Sequence, residues 1–143
     1  MVKFTLYSDG ASRGNPGPAS CAAILYAGDD KTPLLQEGRS LGRTTNNVAE
    51  YNGVILGLEL LTGHLTKEQI LPSAVELNIR LDSELIVNQL LGKYKVKHES
   101  MKPLFEKVRS ILASFQSLQI EHIRREFNKE ADRLANQVLD SQV

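Results

Sequence analysis

Apolar residues change period several times along the chain, and each change marks an element. Lys3 to Ser8 alternates Phe4 and Leu6 with Thr5 and Tyr7, which predicts a strand closed by Asp9. Small and turn-forming residues follow, and Gly14 to Pro18 (GNPGP) is dense turn chemistry. Ser20 to Ala27 predicts a second strand, Gly28-Asp29-Asp30 a turn, and Pro33 to Leu41 a third strand with poor alternation. Short consecutive strands with tight turns imply an antiparallel meander. Thr44-Thr45-Asn46-Asn47 is then a cluster of helix-capping residues. The helix expected behind it, Val48 to about Leu61, carries Tyr51, Val54, Ile55, Leu58 and Leu61 as its apolar positions. Glu50, Gly53 and Gly57 share one face of that helix by three- and four-residue spacing. Glycine inside a helix costs about 1 kcal/mol against alanine. Two on one face therefore predict close packing, which presses the Glu50 face onto the sheet.

From Ala74 to Asp82 the alternation is clean, with Val75, Leu77, Ile79 and Leu81 on one side. Asp82 ends this strand. Ser83 caps a helix over Glu84 to Leu91, with Gly92 as its stop. Pro103 opens another helix running to about Phe115. Leu118 to Ile123 reads as a fifth strand. Asn128 caps a last helix, Lys129 to about Leu139, with Asp132 in its first turn. Three strands, a helix, a strand, helices, a strand and a helix give an α/β fold. Its expected form is a mixed five-stranded sheet, three antiparallel strands then two parallel, flanked by helices.

Composition narrows the class. The 143 residues are expected to form one domain, 1–143, with 41% hydrophobic and 24% charged residues. No apolar run approaches the ~20 residues needed to span a bilayer. The N-terminus lacks signal-peptide architecture, so a cytoplasmic location without membrane association is expected. Cys21 stands alone and suits a reducing compartment. Lys+Arg and Asp+Glu balance at 17 each. Net charge therefore does not announce a nucleic-acid partner, and such a function needs a local basic patch or a metal.

Asp9, Glu50, Asp82 and Asp132 come from four different elements. Two end strands, where α/β sheets place ligands. Clustered carboxylates repel without cations. Hard oxygen donors without cysteine or a histidine cluster point to Mg²⁺ or Mn²⁺. Two such ions serve in-line phosphoryl displacement. Taken singly, Asp9 also fits a turn residue, and Asp132 an acid favoured at a helix N-terminus.

SDGASRGNPGP, TTNNVAEYNG, LDSELIVNQLLG and REFNKEADRLAN, in this order and spacing, resemble the type 1 ribonuclease H family over essentially the whole chain. The resemblance implies a ribonuclease H-like fold. It also implies an endonuclease that cuts the RNA strand of RNA–DNA hybrids, leaving 3′-hydroxyl and 5′-phosphate ends. Asp9, Glu50, Asp82 and Asp132 stand at the family's four catalytic positions, which hold two Mg²⁺ ions, with Mn²⁺ as a substitute. Gly10, Ala11, Ser12 and Asn15 match the loop that approaches the RNA. Asn46 and Asn47 match a pair that contacts the hybrid's minor groove and DNA strand, and Thr44 a residue that binds a DNA phosphate. For the two asparagines, helix capping is an equal reading. The expected partner is an RNA–DNA hybrid, bound by a monomer.

Three departures from the family pattern stand out. The loop Arg124 to Asn128 has no histidine, where many members carry one. Glu84 replaces a glutamine that contacts RNA. The chain has no Trp, so Lys93, Lys95, Lys97 and Lys102 form at most a reduced version of the family's basic protrusion. Two alternatives stay open: a module that holds hybrid or double-stranded RNA without cutting, and a 3′–5′ exonuclease or junction resolvase on the same fold.

Overall fold

The computed structural model describes residues 1–142. Three antiparallel strands lead: β1 (Val2–Ser12), β2 (Gly17–Ala27) and β3 (Leu35–Thr44). Helix α1 (Asn46–Lys67) crosses to β4 (Val75–Leu81), and α2 (Glu84–Leu90) and α3 (Lys102–Leu112) lead to β5 (Ser117–His122). Helix α4 (Lys129–Asp140) closes the described chain. The strand order is β3-β2-β1-β4-β5, with β4 parallel to both β1 and β5. The expected mixed sheet is therefore present. None of the described helices is long and apolar enough to cross a membrane.

The sheet is covered on both sides around β2, which explains why CAAILY lacks polar alternation. Cys21, Ala23 and Leu25 join Phe4, Leu6, Leu77 and Ile79 in the main core against α1. Ala22 and Ile24, between them in sequence, are buried outside that cluster, as are Ala131 and Ala135 of α4. Ser20 reinforces this second contact by donating its hydroxyl to the Ala135 carbonyl at 2.7 Å. All five apolar positions predicted for α1 are buried.

Several boundaries differ from the sequence expectation, each for a physical reason. Strand β1 does not close at Asp9; it stays paired with β2 as far as Ser12, opposite Ala19. Its pairing with β4 does stop early, at Tyr7 opposite Arg80. Asp9 and Asp82 thus lie just beyond the point where the two central strands part. Strand β3 extends past Leu41 to Thr44 because β2 supplies a partner throughout, with a bulge at Ala19/Ser20. Helix α1 starts before Val48 and runs past Leu61, since Leu65 still reaches the core. Its N-cap is Thr45, whose hydroxyl accepts the Val48 N–H at 3.3 Å, so neither asparagine caps it. Asn128 occupies the N-cap position of α4, yet its side chain does not cap that helix.

Candidate active site

Backbone contact fixes two of the four carboxylates. A Cβ added to Gly10 would lie 2.2 Å from the Ala49 carbonyl carbon and 2.3 Å from the Glu50 nitrogen. A Cβ on Gly53 would lie 2.8 Å from the Asp9 carbonyl oxygen. Only glycine permits this approach of α1 to β1. It sets Glu50 beside Asp9, and both are 5% exposed. The Asp9 carboxylate also accepts the Gly10 N–H at 3.0 Å.

Asp82 follows β4 where the chain turns into α2, a turn stabilised by Ser83, whose hydroxyl accepts the Ile86 N–H at 3.3 Å. One carboxylate oxygen from each of Asp9, Glu50 and Asp82 lies within 4.8 Å of the others. Asp132, half-buried in the first turn of α4, falls outside that grouping. It is still near enough for its charge to act on Asp9. Neither of the two described cavities is lined by these side chains.

The electrostatics are those of like charges packed closely together. Burial, then the charge of Asp82, pushes Asp9 up to about 7. Burial and the neighbouring Asp9 hold Glu50 well above the usual carboxylate range. The donor set consists of hard oxygens alone, which suits Mg²⁺ or Mn²⁺ rather than zinc or a soft metal. Asp9, Glu50 and Asp82 have the chemistry and spacing to hold such an ion, and Asp132 stands beside Asp9.

The other predicted residues surround this cluster unevenly. Gly10 is buried beneath α1, and Ala11 and Ser12 are half-buried at the end of β1. The Ser12 hydroxyl donates to the Gly14 carbonyl. Asn15 is exposed, and its Oδ1 accepts the Asn46 N–H at 3.0 Å, which ties the Gly14–Pro18 turn to the start of α1. Thr44 ends β3. Asn46 and Asn47 lie in the first turn of α1, four and three residues before Glu50 and so on its side of the helix. Among the described residues neither asparagine side chain makes a hydrogen bond. Glu84 and the side chains of Arg124 and Arg125 are exposed, as is His122 at the end of β5. Lys93, Lys95 and Lys97 are exposed between α2 and α3 and form no ion pair among the described residues, whereas Lys102 pairs with Glu99 at 2.8 Å.

One residue escaped the sequence reading. Asn128 is buried beside Asp82 and donates to it. An asparagine directly before a helix reads as a cap, and nothing in its local sequence pattern signals a longer reach.

A 3-2-1-4-5 sheet with carboxylates gathered where strands 1 and 4 diverge defines the ribonuclease H-like class of folds. The family model described as "Reverse transcriptase-like" matches residues 7–138. The "Bifunctional protein Rv2228c" of Mycobacterium tuberculosis is 37% identical over 140 residues, covering 98% of this chain and 36% of that protein. The "Ribonuclease HI" of Halobacterium salinarum is 36% identical over 134 residues, covering 94% of this chain and 63% of the relative. Among solved structures, LC11-RNase H1 in complex with RNA/DNA hybrid superposes with a TM-score of 0.87 at 37% identity, covering 96% of this chain and 97% of that one. The chain belongs to the type 1 ribonuclease H family. It spans about a third of the length of the mycobacterial relatives it matches.

Proposed function

We propose that this chain is an endonuclease that hydrolyses the RNA strand of RNA–DNA hybrids with two bound Mg²⁺ ions, leaving 3′-hydroxyl and 5′-phosphate ends. The observation that carries this reading is the Asp9–Glu50–Asp82 grouping within 4.8 Å. It lies next to a helix start whose asparagine side chains are free to meet a nucleic acid. A similar chain, LC11-RNase H1, has been solved with an RNA/DNA hybrid.

Each part of the site has a task in that reaction. Asp9, Glu50 and Asp82, with Asp132 alongside, hold the cations. Divalent ions held there would supply an activated water and charge neutralisation at the scissile phosphate. The backbone of Ala11 and Ser12 meets the RNA strand, where 2′-hydroxyls separate RNA from DNA, while Gly10, buried beneath α1, supports that segment from behind. Asn46 and Asn47 present amides to the minor groove. Asn15, by holding the Asn46 N–H, keeps the two contact segments in register. Mn²⁺ replaces Mg²⁺ as a second hard cation of suitable geometry.

The test is a hybrid labelled on its RNA strand, with DNA duplex and RNA duplex as controls. Wild type and Asp82→Asn are compared in Mg²⁺, in Mn²⁺ and with chelator. Internal RNA cuts confined to the hybrid, and dependent on metal and Asp82, are expected. Retention of uncut hybrid would support the binding-module alternative, and cuts only from an end would support an exonuclease.

A further inference from the structure

Asn128 is 2% exposed at the start of α4. An asparagine in this position ordinarily accepts a hydrogen bond from the first turn of its helix. Here the side chain turns the other way. Its Nδ2 donates to the Ser8 carbonyl at 2.9 Å and to Asp82 Oδ2 at 3.3 Å. The main-chain carbonyl of the same residue accepts the Asp132 N–H at 3.1 Å. One residue therefore bonds to the peptide preceding Asp9, to the Asp82 carboxylate and to the backbone of Asp132.

The direction of the amide follows from its partners. Both groups facing Nδ2 are acceptors, so a reversed amide would set oxygen against two oxygens. In the observed orientation Oδ1 is buried without a hydrogen-bond partner. Leaving such an atom unpaired is costly. A residue chosen for helix stability alone would cap the helix and avoid that loss. What the side chain gains instead is a pair of donors aimed at the site.

We propose that Asn128 is a positioning residue for the metal-binding carboxylates. It fixes the Asp82 carboxylate by one oxygen and holds the start of α4, and with it Asp132, at a set distance from β1. This deepens the function proposed above and rests on it, because the orientation of Asp82 matters to the reaction only if Asp82 binds a cation. Hydrogen-bond partners of ligating groups typically change metal affinity or activity by about 10–100-fold when removed.

The experiment is a calorimetric titration of Mn²⁺, without nucleic acid, into wild type and Asn128→Ala, followed by hybrid kinetics across a range of Mg²⁺. The variant is expected to bind Mn²⁺ about 10-fold or more weakly, to lose kcat, to keep KM for the hybrid within about twofold, and to recover part of its kcat at high metal. A scaffold residue without this role would not give metal-dependent recovery. Equal Mn²⁺ affinity in the two proteins would overturn the proposal and leave the metal reading standing. No binding to wild type would overturn both. Should Asn128→Ala fail to fold, the wild-type side-chain amide decides by NMR. Its resonances are expected to exchange slowly and to move in a saturable way as Mg²⁺ is added. An amide that exchanges fast and ignores Mg²⁺ would overturn the proposal.

Discussion

Asp9 and Glu50 are each 5% exposed, and two glycines hold their backbones against one another. Lys93, Lys95 and Lys97 stand in water on a segment with no regular structure. In the function proposed above, these two regions would act by opposite means. The carboxylate cluster keeps like charges together by close packing and is unfavourable until a cation arrives. The lysine segment depends on long-range charge that needs no fixed geometry and that salt screens. Damage to the cluster should therefore remove chemistry, and damage to the lysines should only loosen grip.

Asp9→Asn should separate the two most sharply. Losing a metal ligand removes several kcal/mol of transition-state stabilisation, which is about 1000-fold in kcat. The same change removes a buried charge facing Asp82. The metal-free variant should therefore melt several degrees above wild type, as expected for about 1–3 kcal/mol. Steady-state kinetics and thermal melts on the two proteins check both halves. A variant that is inactive and also less stable would show that the cluster is not strained by its own charge.

Gly10→Ala comes next and acts through structure. Its Cβ would lie 2.2 Å from the Ala49 carbonyl carbon, and backbone on both sides cannot give way as a side chain could. A loss of about 3 kcal/mol is expected, with activity falling as α1 is displaced. Gly63→Ala, in α1 with nothing within 4 Å of its added Cβ, should instead stabilise by up to about 1 kcal/mol. Urea denaturation of the pair tests whether close backbone contact is what reserves Gly10.

This contrast also separates what the sequence disclosed from what it hid. Strand alternation in AVELNIRLD, and glycines spaced with Glu50, are local patterns that follow directly from packing geometry, so the sheet and the approach of α1 were legible. The end of β1 was not, because its partner β2 decides where pairing stops. Thr45, rather than Asn46 or Asn47, caps α1, since all four residues of TTNN have capping chemistry and only the backbone angles choose among them. Asn128 was misread for a related reason: its partners, Ser8 and Asp82, are distant in sequence and close only in the fold.

The pH dependence of stability sharpens the comparison further. Asp9 is raised to about 7 and Glu50 is also raised, so between about pH 4 and pH 7 the folded protein binds more protons than the unfolded chain. Stability from these groups must then fall as pH rises through that window. In chelator, the unfolding free energy should drop by about 1–3 kcal/mol from pH 5 to pH 7.5. Saturating Mg²⁺ should flatten the trend, because the cation binds the ionised form. Asp9→Asn should reduce it, leaving the part that the burial of Glu50 contributes. Parallel curves with and without Mg²⁺ would mean that the ion does not bind these carboxylates.

The smallest effect belongs to the lysines. If Lys93, Lys95 and Lys97 meet phosphates, each contributes about 0.7–0.9 to the slope of log affinity against log salt. Changing all three to alanine should flatten that slope by about 2 units. KM at low salt should rise severalfold, while kcat at saturating hybrid stays within about twofold. The three side chains have no ion pair among the described residues to lose, so the folded state should be unaffected. An unchanged slope would make the segment a solvated face. Grip on the hybrid would then fall to Asn15, Asn46 and Asn47, whose neutral amides add little salt dependence, and the same titration on Asn46→Ala would show lost affinity at every salt concentration.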